Sequence, residues 1–368
     1  MGTINSSILI ADSPAPDLFA DLLEMEVEED HRMASIFRIR LSMHREDQGT
    51  WTYLDDERMQ LWAKIEIQVT VGDDTTSLIQ GYLTQINSHI DPDENSSYLE
   101  LKGMDATCLM NLEEKIKDWP NQSDSDIASQ IISNYQGLVA QAQDTGVVHD
   151  DKVSTIIQRD TDMRFLRRLA QRNGYECVAR GNTIYFQKPP LADPPLPVLA
   201  AHFGADTNLY SFEARVNAMR PAQVEMHQID TLAKTVLDAS ATPAQQQLGR
   251  DGAASLSPPG AQSKVVVRHE ISTSGQEMTA LCQALYDQAE WLIEASGEVD
   301  SAIYGSVLQS RNLVPVKGVG ELFSGMYYLT NVKHVFNVER YTQQFKARRN
   351  AMAPNPGDFE GGGLSLPF

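Results

Sequence analysis

Two early stretches of the chain alternate strictly between apolar and polar residues. Phe37, Ile39, Leu41 and Met43 fall on one side and Arg38, Arg40 and Ser42 on the other; Ile65, Ile67, Val69 and Val71 repeat the pattern against Lys64, Glu66, Gln68 and Thr70. A period of two places such residues on opposite faces of a half-buried antiparallel strand. Two further strands are expected at 78–87 and 98–102, separated by a turn-rich run at 91–97. Together they predict a small barrel or sandwich within residues 1–107.

From Cys108 the period becomes helical. Ser123 is placed to cap a helix carrying Ile127, Ile131 and Tyr135 on one face. A strand at 153–158 should precede a second helix, capped by Asp160 or Thr161, with Met163, Leu166, Leu169 and Ala170 inward and Gly174 just past its end. A hairpin around Gly181 and Asn182 completes an α/β unit over 108–190, closed by the proline cluster at 189–197. The section 191–350 reads as strands at 209–216 and 222–229, a low-complexity loop at 239–260 and a strand at 264–268. A helix at 275–296 follows, started by a capping box of Ser274 and Glu277, then strands at 298–304, 314–317, 326–337 and 341–347. Residues 351–368 are expected to be a flexible tail.

Charge narrows the reading. The 368 residues carry 30 Lys plus Arg against 50 Asp plus Glu, a net −20, which disfavours a broad basic surface for nucleic acid. Residues 1–30 hold eight carboxylates and no Lys or Arg, to be read either as solvated edge charge or as a dock for a basic partner. Two basic patches stand out: Arg164, Arg167, Arg168 and Arg172 on the second helix, and Lys333, Arg340, Lys346, Arg348 and Arg349 near the end. Of these, Arg164, Arg167, Arg168, Arg172, Lys346, Arg348 and Arg349 are the candidate interface residues, because clustered Arg on an acidic chain pairs bidentately with carboxylates of a neighbouring subunit. The acidic N-terminal block is the natural counterpart.

Candidate chemistry is sparse. Cys108, Cys177 and Cys282 are too far apart for a disulfide framework or a zinc site, and no pair among the eight histidines has helical or strand spacing for a metal. No phosphate loop, nucleophile elbow or His-Glu-x-x-His pattern occurs. Neither a catalytic residue nor a cofactor or metal site is assigned. With no signal-peptide pattern and no apolar run of membrane-spanning length, synthesis in the cytoplasm without a membrane anchor is expected.

Several segments in order resemble one family. Residues 159–175 (RDTDMRFLRRLAQRNGY) look like the helix signature of the phage late control D and VgrG family; 210–217 (YSFEARVN) is similar to the strand that follows there. Residues 323–334 (FSGMYYLTNVKH), then 341–345 (YTQQF), Arg349 and Asn350 resemble its closing strands. The resemblance implies the baseplate hub of a contractile tail or injection system. Such hubs are trimeric rings whose chains each carry two similar barrels, six-fold-like toward the inner tube and three-fold toward the spike. The implied fold class is α+β and β-rich, with two small β-barrels (1–107 and 191–350) around the α/β insert. The chain itself repeats a motif: 81–89 (GYLTQINSH) recurs as 325–334 (GMYYLTNVKH). Fused relatives continue into a needle, whereas this chain ends soon after Asn350, so the spike is expected to be a separate protein. Implied partners are two further copies, the inner tube protein, the spike, a LysM-type peptidoglycan-binding baseplate protein and baseplate wedge proteins, inside a phage tail or phage-tail-like particle. Part of the negative charge is then expected to line the central channel. The competing reading is a β-rich enzyme degrading cell wall or carbohydrate, which requires a cleft with a raised-pKa carboxylate.

Overall fold

A computed structural model describes residues 4–359 apart from 47–48, 94–95, 154, 221–222, 231–232, 242–245, 257–262, 269–271, 273 and 338–339. The part of the expected tail from 360 onward lies outside the described residues, as do stretches of the 239–260 loop. The protein is β-rich with few helices. The alternating segments form the strands Ile36–Ser42 and Lys64–Val71, burying Phe37, Ile39, Leu41, Ile65, Ile67 and Val69. They pack with Met25, Val27, Leu83, Leu99 and Leu101 in one core. The strand expected at 78–87 is longer, Asp74–His89, and bends through register shifts against both neighbours.

One sheet runs through most of the molecule. Its hydrogen-bonded order is Leu209–Val216, Ile293–Asp300, Tyr341–Arg349, Gly325–Asn337, Leu22–Asp30, Ile36–Ser42, Tyr98–Asp105, Asp74–His89, Lys64–Val71, Ile4–Ile10 and Ser13–Pro14. Leu22–Asp30 is the joining strand: it pairs antiparallel with Ile36–Ser42 on one side and with Gly325–Asn337 on the other. The acidic block is therefore an internal strand rather than an exposed edge. Beyond it a second core gathers Leu209, Ile293, Val314, Val316, Tyr327, Leu329, Val332 and Phe345.

The repeated motif has a structural counterpart. Thr84 and Thr330 both sit at register shifts, between Leu83 and Gln85 and between Leu329 and Asn331. Each hydroxyl donates to a carbonyl of the next strand, Thr84 Oγ1 to Lys102 O at 3.3 Å and Thr330 Oγ1 to Lys346 O at 3.1 Å. The glycine opening each copy is required by close approach. A Cβ on Gly81 would lie 2.1 Å from the Met104 carbonyl oxygen; Gly325, at φ +137°, would put one 2.5 Å from the Arg349 guanidinium.

In the α/β part, Ser123 caps the helix Asp124–Ser133 and Thr161 caps Asp162–Arg172. Two strands absent from the sequence expectation, Glu114–Trp119 and Val139–Ala142, pair with Ile156–Thr161 and Thr183–Gln187. The helix expected at 275–296 covers only Gly275–Ala289. Leu292 continues its apolar stripe in spacing, but the Leu292 amide donates to Arg349 O and Ile293 enters the sheet, so strand pairing captures the segment. Likewise the strand expected at 298–304 ends at Asp300, whose carboxylate caps the short helix Ser301–Tyr304. That leaves a smaller sheet of Gln223–Asp230, Thr235–Ser240 and Lys264–Val267 with the Gly275–Ala289 helix against it. Among the described residues no helix is long and apolar enough to cross a membrane.

Candidate functional site: the polar seam and its buried struts

Along Leu22–Asp30 the pleat turns Met25, Val27 and Glu29 inward and Glu24, Glu26, Glu28 and Asp30 outward. The flanking strands supply the counter-groups. Arg38 Nε donates to Glu26 at 2.9 Å and its Nη2 to Glu24 at 2.7 Å. From the other side Lys333 Nζ lies 2.6 Å from Glu26 and Asn331 Nδ2 2.8 Å from Glu28. Burial pushes the Glu26 carboxyl up, but hydrogen bonds from Arg38 and Lys333 outweigh it and hold it below the usual range. Glu24 and Glu26 are thus paired within the chain and do not wait for the helix arginines, whereas Glu28 and Asp30 meet the neutral amide of Asn331.

Behind the seam, Glu29 is buried and accepts from the Ser310 amide and hydroxyl at 3.1 and 3.2 Å. His334, fully buried and 3.5 Å from the other Glu29 oxygen, shares a 2.7 Å hydrogen bond with the Tyr341 hydroxyl. A second strut centres on Glu176 of the Glu176–Arg180 strand, which accepts from Arg311 Nε at 2.9 Å and Tyr328 Oη at 2.6 Å, with Arg348 Nη2 at 3.4 Å. Arg348 lies 4.0 Å over the Trp291 ring, and burial lowers its pKa to about 10. Nearby, burial and the Arg348 and Arg32 charges push His31 down to about 2, so it is neutral.

A third strut ties the α/β part to the Gly275–Ala289 helix. Arg172 Nε donates to Asp124 at 2.6 Å, and His149 reaches Asp124 through Nε2 at 3.0 Å and Glu277 through Nδ1 at 3.1 Å. Ser274 caps the helix by accepting from the Glu277 amide, as the capping box predicts, while the Glu277 carboxylate also turns toward this strut. Burial lowers the His149 pKa, but the hydrogen bonds to Asp124 and Glu277 prevail and raise it.

The seven candidate interface residues do not form one surface. Arg349 is completely buried, its guanidinium donating to the carbonyls of Leu248, Ser324 and Ala353. Arg348 belongs to the Glu176 strut and Arg172 to the Asp124 strut. Arg167 is half-buried, and its Nε and Nη2 have no hydrogen-bond partner among the described residues. Arg164, Arg168 and Lys346 are exposed; Arg164 lies 3.6 Å from Asp160. Sequence reasoning missed Glu176, Arg311, Asp124 and His149, whose partners are more than 20 residues away in the chain. All three cysteines are free and buried, and no metal-holding group of His, Cys, Asp and Glu occurs among the described residues. A cleft of about 400 Å³ beside the Glu176 strut is lined by Trp291, Arg348, Lys188 and Asp287 among others. Burial raises the Asp287 carboxyl.

The overall fold is similar to that of solved phage tail proteins. A 43 kDa tail protein of prophage MuSo2 from Shewanella oneidensis superposes with a TM-score of 0.68 at 14% identity, over 95% of this chain and 100% of that one. The tail protein from Neisseria meningitidis gives 0.66 at 12% identity, over 95% and 98%. The E. coli c3393 protein, a component of the type VI secretion system, gives 0.54 at 12% identity, over 96% and 79%. The chain belongs to the Alg8 N-terminal domain family, which it matches over residues 2–337. No curated protein sequence shows significant similarity to it.

Proposed function

We propose that the chain is a structural, non-enzymatic component of a contractile tail or injection machine: a baseplate hub, three copies of which join a six-fold inner tube to a three-fold spike. The observation that carries this reading is the pair of matching bulged strands, at Thr84 and Thr330, on either side of one joining strand. Two similar units in one chain present two equivalent surfaces per subunit, and three such chains offer six. On this reading residues 1–107 and 191–350 form the two barrel-like units, 108–190 the insert, and the exposed Arg164, Arg168 and Lys346 face neighbouring chains. The inner tube and spike are the immediate partners, with wedge and LysM-type proteins at the periphery of the baseplate.

The test is reconstitution with candidate inner tube and spike proteins of the same particle, followed by electron microscopy. The expected result is three copies capping a six-fold tube. A monomer that binds neither protein would refute it. Among the described residues, burial raises a carboxyl at Asp287, in the cleft beside Trp291, and at the buried Asp105, and the enzyme reading needs one of these. Peptidoglycan turnover abolished by Asp287→Asn would establish that alternative.

A further inference from the structure

The strands Glu114–Trp119 and Ile156–Thr161 form a two-stranded ribbon apart from the main sheet, and among the described residues neither has a second sheet neighbour. A lone two-stranded ribbon is marginal, and its open edge offers unpaired backbone donors and acceptors. The pleat divides the Glu114–Trp119 strand sharply. On one face Ile116 is 87% exposed between Glu114 and Asp118 and opposite Arg159, with Ile157 of the neighbouring strand and Leu112 also exposed. On the other face stand Lys115, Lys117 and Trp119. The Lys117 ammonium rests 3.6 Å over the Trp119 ring, Trp119 stacks on Phe165, and Arg168 lies 5.3 Å over Phe165. Lys117 and Arg168 make no ion pair among the described residues, although the chain carries a net charge of −20. Lys117 stacks on Trp119 and Arg168 lies over Phe165, and no carboxylate among the described residues neutralises either cation.

We propose that the outer edge of Glu114–Trp119 receives an extended segment of another protein, added as a strand, whose side chains alternate between apolar and acidic. Alternation follows from the geometry. A strand paired to this edge turns every second residue toward Ile116 and the rest toward Lys117, so the residue over Ile116 gains apolar burial and those over Lys117 gain charge pairing. Ile116, Ile157 and Leu112 together form the exposed apolar patch on which such a partner would sit. The inference goes beyond the hub reading and stands without it, since the isolated chain suffices for its test.

The probe is a fluorescein-labelled peptide alternating glutamate and valine, long enough to cover the six-residue strand. A lysine–valine peptide and a scrambled glutamate–valine peptide serve as controls. Fluorescence anisotropy with the full chain should show saturable binding of the first peptide only, weakening as salt rises. Ile116→Asp and Lys117→Glu should each weaken it by about tenfold. Ile116 is so exposed that its variant should keep the parent circular-dichroism spectrum and melting curve, which separates lost binding from lost folding. Equal binding of the lysine–valine peptide, or binding indifferent to both substitutions, would overturn the proposal. So would concentration-dependent self-association of the chain abolished by Ile116→Asp, because the occupant would then be a second copy.

Discussion

Replacing Glu176 with Gln keeps the side chain's shape and removes its charge at a point where two guanidinium groups and a tyrosine hydroxyl converge. Glu176 is 4% exposed and Arg311 6%, so water replaces little of what is lost. Arg311 Nη2 has no hydrogen-bond partner among the described residues, which leaves its charge dependent on the 2.9 Å contact from Nε. Two unit charges about 4 Å apart attract by about 4 kcal/mol at an effective dielectric of about 20. Breaking a buried pair by removing one partner costs about 3–5 kcal/mol in practice, because the survivor stays desolvated. The glutamine amide adds donors opposite groups that already donate, so no compensating bond forms in the original geometry.

Unfolding in urea, followed by circular dichroism and by tryptophan fluorescence, should therefore show Glu176→Gln losing about 3–5 kcal/mol, with the midpoint shifted. Trp291, packed against Arg348, reports the strut directly. Arg311→Met should cost a similar amount, and the double variant less than the two together, since each single change strands the charge of the other partner. A loss under about 1 kcal/mol for Glu176→Gln would refute the strut, showing that its groups find other partners or water.

Three further outcomes follow from the same geometry. His149 has its folded pKa raised by Asp124 and Glu277 against the opposing charge of Arg172, so its contribution is full below about pH 6.5, the unfolded value, and fades as pH rises through the folded one. Relative to His149→Gln, the parent should accordingly be more stable at acidic than at alkaline pH; equal pH slopes in urea titrations would contradict this. Gly81→Ala forces a Cβ to within 2.1 Å of a backbone carbonyl oxygen and should destabilise by about 1–3 kcal/mol, measured by thermal melting. Thr84→Val and Thr330→Val each delete one hydroxyl-to-carbonyl bond at matching bulges and should cost similar amounts, about 1 kcal/mol each. A large difference between the two would count against equivalence of the repeats.

Alternation made the strands around Phe37 and Ile65 legible, because a single sheet face buried against one core leaves a period of two in the sequence. The same signal was present at the acidic block, where Met25 and Val27 alternate with Glu24, Glu26 and Glu28, and attention to charge alone hid it. Arg349 was legible too: Tyr341, Gln343, Phe345, Ala347 and Arg349 share one buried face, so the arginine points inward with the apolar residues. Its neighbours in sequence, Lys346 and Arg348, face the other way. The helix past Ala289 was overextended because Leu292 kept helical spacing, and spacing cannot report an amide bonded to a strand more than 50 residues later. Glu176, Arg311 and His149 left no local pattern at all, since each is placed by a partner on another element.

The pairing across the seam changes what a net charge of −20 means for a ring. A channel wall was expected to repel polyanions with its own carboxylates. On the outward face of the joining strand, however, Arg38 takes Glu24 and Glu26, Lys333 takes Glu26 and Lys102 takes Glu100 at 2.6 Å. Glu28 and Asp30 on the same face meet the neutral Asn331 amide, so on the hub reading a channel wall made of this face is partly balanced. Opposite charges held in short, fixed pairs project little field beyond a few ångströms, since a dipole's potential falls off faster than a single charge's and salt screens the remainder. Such a surface repels a passing polyanion less than its count of carboxylates alone implies. Part of the excess negative charge thus stays at the seam, on Glu28 and Asp30, and the remainder lies elsewhere on the chain.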